Sequence, residues 1–118
     1  MSKKQTLALL AKLLQNFADE RDWNQFHSPK NLAIALSVEV SELLEEFQWL
    51  TEEQSRHLVP ERLQRVREEI GDVMIYFIQL SDRLGLDPLS AAFEKLEKNR
   101  AKYPVEKAKG TNRKYTDF

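Results

Sequence analysis

Two apolar stripes with alternating steps of three and four residues constrain this chain more than any other feature. The first runs Ala33, Leu36, Val40, Leu43, Phe47, Leu50; the second runs Leu63, Val66, Ile70, Val73, Phe77, Leu80, Leu84. Such spacing is an a/d seam, the pattern that packs helices side by side at shallow angles. Each stripe carries an acidic pair at the same register: Glu39 and Glu69 fall at g, flanking the seam, and Glu42 and Asp72 fall at c. Within a pair the i, i+3 spacing puts both carboxylates on one helix face, with Cβ atoms roughly 5–6 Å apart. If the two helices pack together, four carboxylates converge. At an effective dielectric of about 20, two unit charges 4 Å apart repel by about 4 kcal/mol. A hard, oxygen-seeking cation such as Mg²⁺, or Mn²⁺ in its place, relieves that repulsion. The competing reading is four carboxylates merely solvated on a helix rim.

Turn and cap residues divide the chain into four long helices. Leu7, Leu10, Leu14 and Phe17 mark a first amphipathic helix over about 4–21, followed by a connector at 22–27. Ser28 and Pro29 form an N-cap and first helical position, opening a second helix over about 29–49. Thr51 to Gln54 fits a capping box on a short helical turn. Pro60 opens the third helix, about 60–84, and Gly85 stands just past its end. Asp87-Pro88 starts a fourth, which stops near Tyr103-Pro104. The tail, 104–118, is polar and basic without periodicity. No alternating strand pattern or internal repeat is present, so the expected fold is all-α, a four-helix bundle forming one domain over 1–118. Met74, Tyr76 and Ile78 lie outside the third helix's seam and predict that a second copy covers that helix.

Composition narrows the chemistry. The 118 residues carry a net charge of −1, which gives no global electrostatic case for nucleic acid. Charge is nonetheless uneven: residues 37–72 hold ten acidic against four basic residues, whereas the tail holds four basic against two acidic. An acidic centre beside a basic tail suits a metal-bound polyanion. The absence of cysteine removes disulfides, thiolate zinc sites and thiol nucleophiles. No apolar run approaches the roughly 20 residues of a membrane span, and the expected setting is cytoplasmic. There is no phosphate-binding glycine loop, no Glu-x-x-His pair of the kind di-iron bundles use, and no serine nucleophile elbow.

Several other residues are open to two readings. Gly71, between Glu69 and Asp72, either lets helices pack closely or leaves room for a ligand. Trp23 in the connector, with Phe26 beside it, and Trp49 at the end of the second helix either fill the core or stack on a flat base, and His27 is either a surface or capping histidine or part of that site. Lys95, Asn99 and Lys102 share one face of the fourth helix, solvated or phosphate-contacting.

The pattern E-x-x-E, 26 intervening residues, then E-x-x-D resembles the MazG-type all-α nucleoside triphosphate pyrophosphohydrolases, and within them the dCTP pyrophosphatase branch. The segments E-R-D-W-N-Q-F-H at 20–27, E-V-S-E-L-L-E-E-F-Q-W at 39–49, E-E-I-G-D-V-M-I-Y at 68–76, N-R-A-K-Y-P-V at 99–105 and K-Y-T-D at 114–117 carry the resemblance over about residues 19–118. It implies Mg²⁺-dependent cleavage of a dNTP, dCTP or a modified dCTP, to dNMP and pyrophosphate in nucleotide-pool house-cleaning. It implies Glu39, Glu42, Glu69 and Asp72 as metal ligands. Glu42 or Glu39 then orients or deprotonates the attacking water. It further implies Trp23, His27 and Trp49 around the base, Tyr76 near the site, and Lys95, Asn99 and Tyr103 reaching substrate, in a homodimer or homotetramer. The alternative is a non-catalytic helical module that senses nucleotides or oligomerises.

Overall fold

The computed structural model describes residues 4–118, and every regular element among them is helical. In chain order these are α1 (Leu7–Glu20), a 3₁₀ turn (Asn24–Phe26), α2 (Pro29–Glu45), α3 (Glu52–Arg56), α4 (Pro60–Arg83), α5 (Pro88–Lys102), α6 (Val105–Ala108) and a second 3₁₀ turn (Tyr115–Asp117). The expected four long helices are present, and none of the described helices is long and apolar enough to cross a membrane.

Local chemistry sets most of the boundaries. Ser28 Oγ accepts the Asn31 N–H at 3.1 Å, and Pro29 occupies the first position of α2. Thr51 and Gln54 form the expected reciprocal capping box on α3. Asp87 caps α5 through the Leu89 N–H at 3.0 Å. Gly85 takes φ +67 after α4, a conformation that favours glycine.

Some boundaries differ from expectation. Thr6 caps α1, which therefore begins at Leu7 rather than residue 4. The second helix stops at Glu45 instead of running to 49. Its last turn tightens, with Phe47 and Leu50 donating to carbonyls three residues back, at 2.9 Å each. Arg62 Nη1 captures the Glu46 carbonyl at 2.7 Å, so that acceptor serves α4 instead. The tail is not featureless either: Pro104 leads into α6, and the last residues close in a 3₁₀ turn.

The chain forms two compact units, one ending at Gly85 and one running from Leu86 to Phe118. In the first, α4 packs against both α2 and α1. The seam between α2 and α4 is rotated from the predicted one. The covered stripes are Leu32, Leu36, Glu39, Leu43, Glu46 on α2 and Arg62, Val66, Glu69, Val73, Tyr76, Leu80 on α4. These are the d and g positions, with steps still of three and four. The a positions Val40, Leu63, Ile70, Phe77 and Leu84 are left exposed. The rotation puts Glu39 and Glu69 in the seam rather than on its flank. Ile78, expected under a second copy, is 3% exposed within its own chain, where α4 meets α1. Tyr76 is also partly covered by its own chain, whereas Met74 is exposed.

In the second unit, the Tyr103 ring packs edge-on against Tyr115 at 5.9 Å and Phe118 at 5.8 Å. Lys102 Nζ sits 4.9 Å over the Tyr115 ring. The end of α5 and the chain terminus thus form one aromatic cluster. No residue of α5 is buried, and Lys95 on its middle turns is exposed.

Candidate active site

The carboxylates of α2 and α4 meet in the seam. Glu39, Glu69 and Asp72 each bring one oxygen within 4.8 Å of the others. Glu42 stands beside them, within hydrogen-bonding reach of both Glu39 and Glu69. Glu39 Oε2 and Glu69 Oε2 are buried and have no partner among the described residues. Removal from water, reinforced by the Glu42 hydrogen bond and the Glu42, Asp72 and Glu69 charges, pushes the Glu39 carboxyl up to about 7. Glu69 is raised for the same first reason, followed by the charge of Glu42. A set of hard oxygen donors, two of them buried and orphaned, fits a divalent cation. Glu39, Glu69 and Asp72 would hold it, with Glu42 adjacent.

Sequence reading missed the clasp that closes this seam one turn away. Glu46, its side chain 14% exposed, accepts from Arg65 Nε at 3.0 Å and Arg62 Nη1 at 3.3 Å. The signal was an acidic residue seven positions after Glu39, facing two arginines seven and four positions before Glu69. This clasp joins α2 to α4 beside four like charges that push them apart.

An aromatic pocket of about 260 Å³ opens next to Asp72. α1 contributes Leu14 and Phe17, and the connector contributes Trp23 and His27. α4 adds one face of two turns: Asp72, Ile75, Tyr76 and Gln79. The Trp23 ring is placed by the way α1 ends. Asp22 takes φ 54, and the Trp23 N–H returns to the Ala18 carbonyl at 2.9 Å. This is a Schellman stop with an aspartate in the left-handed position usually held by glycine. Its apolar contact is Trp23 against Phe17, edge-on at 5.6 Å. Trp23 also meets His27, at 6.3 Å. Burial, and then the Arg83 charge, lowers the His27 pKa and keeps the imidazole neutral, and its Nδ1 has no partner among the described residues.

Behind the pocket lies a second polar group. Asp19 accepts from Gln15 Nε2 at 2.7 Å and from Asn24 Nδ2. Asn24 Oδ1 accepts from Gln15 and from Arg83 Nη2. These bonds lower the Asp19 pKa, Asn24 first and Gln15 second. They pin the connector to the end of α4.

The expected site residues therefore separate into groups. Glu39, Glu42, Glu69 and Asp72 cluster, and Trp23, His27 and Tyr76 gather beside Asp72. Trp49 fills no core: it is 86% exposed, in the turn after α2, and does not line the pocket. Lys95, Asn99 and Tyr103 belong to the second unit, where the Asn99 carbonyl accepts the Tyr103 N–H at 2.8 Å. Apart from its chain neighbours and the backbone of its own helix, no described atom lies within 4 Å of where a Cβ on Gly71 would sit, so close packing within the chain does not explain that glycine.

The chain is similar to known proteins along nearly its whole length. The mouse protein dCTP pyrophosphatase 1 is 42% identical over 119 aligned positions, covering 99% of this chain and 70% of its own. Its human counterpart is 41% identical over the same extent. A solved pyrophosphatase from Archaeoglobus fulgidus superposes with a TM-score of 0.80 at 40% identity, covering 88% of this chain and 97% of its own. Residues 34–118, which span both acidic pairs, match the MazG-like family; with such identity over nearly the whole length, the chain belongs to the MazG-like family.

Proposed function

We propose that this chain is a nucleoside triphosphate pyrophosphatase that cleaves dCTP, or a modified dCTP, to dCMP and pyrophosphate with Mg²⁺. The observation that carries the reading is the carboxylate triad beside an aromatic pocket of base-accepting size. The names of the relatives, dCTP pyrophosphatase 1, support the substrate.

A divalent cation held by Glu39, Glu69 and Asp72 supplies charge stabilisation at the phosphates and lowers the pKa of water. Glu42 is placed to orient the attacking water or take its proton, a role Glu39 can share. The new bond joins water oxygen to the α-phosphorus; the bond to the bridging α–β oxygen breaks, and pyrophosphate leaves. Trp23, His27 and Tyr76 hold the base, with Trp23 stacking on it. Lys95, Asn99 and Tyr103 are further substrate-binding residues. Residues 1–118 act as one pyrophosphohydrolase domain with a basic tail at 104–118, working in the cytoplasm.

The working form is a homodimer or homotetramer. The exposed a positions of α2 and α4 support this, as does an open apolar groove of about 460 Å³ between the start of α1 and Met74. Trp49, exposed and outside the pocket, is then offered to the base of a partner copy. Mixing Trp23→Ala chains with Trp49→Ala chains should partly restore activity through one intact shared site. Mixed oligomers, established by mass, that recover nothing would exclude the shared pocket.

Chromatography of dCTP incubated with the protein and Mg²⁺ tests the reaction itself. dCMP and pyrophosphate are expected. dCDP and orthophosphate as first products would refute the assignment.

A further inference from the structure

Besides Trp23, His27 and Tyr76, the aromatic pocket has an amide that neither the acidic cluster nor the polar group behind it uses. Asp72, Ile75, Tyr76 and Gln79 follow one another at i, i+3, i+4 and i+7 on the same face of α4, and all four line the pocket. Gln79 is the last of them. Its neighbours are already paired: Gln15, Asp19, Asn24 and Arg83 form a closed set of hydrogen bonds in which Gln79 takes no part. Its amide, with two donors and an acceptor, is partly covered and has no hydrogen-bond partner among the described residues. Sequence reading passed over it as one polar residue in the run F-I-Q-L.

Position along the helix gives this amide a task. Seven residues at 1.5 Å each put Gln79 about 10 Å from Asp72. That is close to the length of a nucleotide from its α-phosphate to the hydrogen-bonding edge of its base. A nucleotide with its phosphates at the carboxylates and its base beside Trp23 thus presents that edge near Gln79. We infer that Gln79 reads the Watson–Crick edge of the base, accepting from the exocyclic amino group of cytosine and donating to its ring nitrogen. Trp23 supplies stacking, which every base satisfies. Gln79 adds the directional contacts that a stacking platform lacks. The inference rests on the proposed nucleotide site, but it concerns base recognition and is tested without hydrolysis.

Calorimetric titration of the full chain with dCMP, and with the 2-pyrimidinone deoxynucleotide that lacks the exocyclic amino group, provides the test. Losing one well-paired hydrogen bond in a covered site lowers affinity by about tenfold. The wild-type chain is expected to prefer dCMP by about that factor. Gln79→Met keeps the length of the side chain and removes the amide. It should weaken dCMP binding about tenfold or more, weaken the analogue, which keeps the ring nitrogen, by less, and bring the two affinities together. Gln79→Glu, which loses the amide donors, provides a second variant and should weaken dCMP binding likewise. Preservation of the wild-type preference in folded Gln79→Met would overturn the inference, as would unchanged dCMP affinity in folded Gln79→Glu or equal wild-type affinity for both nucleotides. Failure of the wild type to bind dCMP at millimolar concentration would overturn it too. Pyrophosphate release from dCTP, measured separately, decides the parent reading, so the two failures remain distinct.

Discussion

Two polar clusters border the same face of α4, and they are built on opposite terms. At the C-terminal end, Gln15, Asp19, Asn24 and Arg83 satisfy one another, and Asp19 is held more acidic than usual. Three to four turns inside the helix, Glu39, Glu42, Glu69 and Asp72 crowd together without an opposite charge among them. There Glu39 is pushed up to about 7, and two buried oxygens lack partners. A cluster that completes itself fixes geometry. One that stays incomplete holds binding capacity in reserve, at a cost in stability that the Glu46–Arg62–Arg65 clasp and the apolar seam offset. The first cluster anchors the connector bearing Trp23; the second has the oxygen donors of a divalent-cation site.

The sharpest way to break this comparison is to neutralise one acid. Asp72→Asn or Glu69→Gln should lower kcat by about 10²–10³-fold, as removal of an electrostatic group at a reacting centre does. The metal-free variant should be no less stable than wild type, because a repulsion is removed. Steady-state pyrophosphate release and urea unfolding of the same preparation measure both. A variant that is inactive because it is unfolded would contradict the contrast.

Next in size is the pH dependence. Folded Glu39 holds its proton up to about pH 7, while the unfolded chain releases it near the ordinary value of 4.5. Metal-free stability should therefore fall as pH rises from about 4.5 to 7, by on the order of 3 kcal/mol for the full shift. Asp19 works in the other direction. Its lowered pKa adds stability above the unfolded value of 3.8, which is lost as pH falls through the folded pKa. A metal-free stability maximum near pH 4, between the unfolded values of 3.8 and 4.5, follows, and unfolding midpoints from about pH 3 to 8 in chelator locate it. Stability rising steadily from pH 5 to 8 would rule out the strained cluster.

Magnesium should act at the acidic cluster alone. At 100 times its Kd, a ligand bound only by the folded state adds about 2.7 kcal/mol, enough for a melting shift of several degrees. The shift should vanish in Asp72→Asn and survive in Asn24→Ala. The smallest effect belongs to the satisfied cluster. Asn24→Ala removes an acceptor from Arg83 and a donor from Asp19, costing about 1–3 kcal/mol of stability. It should also loosen the Trp23 loop, which tryptophan emission and urea unfolding together report.

Much of this protein is written locally. Ser28-Pro29, Thr51 to Gln54, Pro60, Gly85 and Asp87-Pro88 act within a turn of themselves, so helix starts and stops are readable from neighbours alone. The i, i+3 spacing likewise puts each acidic pair on one face whatever the helix packs against. The rotation of the helices about their own axes is not local. α2 and α4 each carry apolar residues over more than one stripe, and the 3.5-residue period is the same for d/g as for a/d. Which stripe turns inward depends on the summed contacts of α2 with α4 and of α4 with α1, and on Arg62 and Arg65 gripping Glu46. Burial of Ile78, entry of Tyr76 and Gln79 into the pocket, and exposure of Trp49 all depend on that choice. The helices and the carboxylate pairs follow from bonds made within a turn, which set where a helix begins and ends; the place of the carboxylates inside the seam follows from helix rotation, which is set by partners distant in the chain.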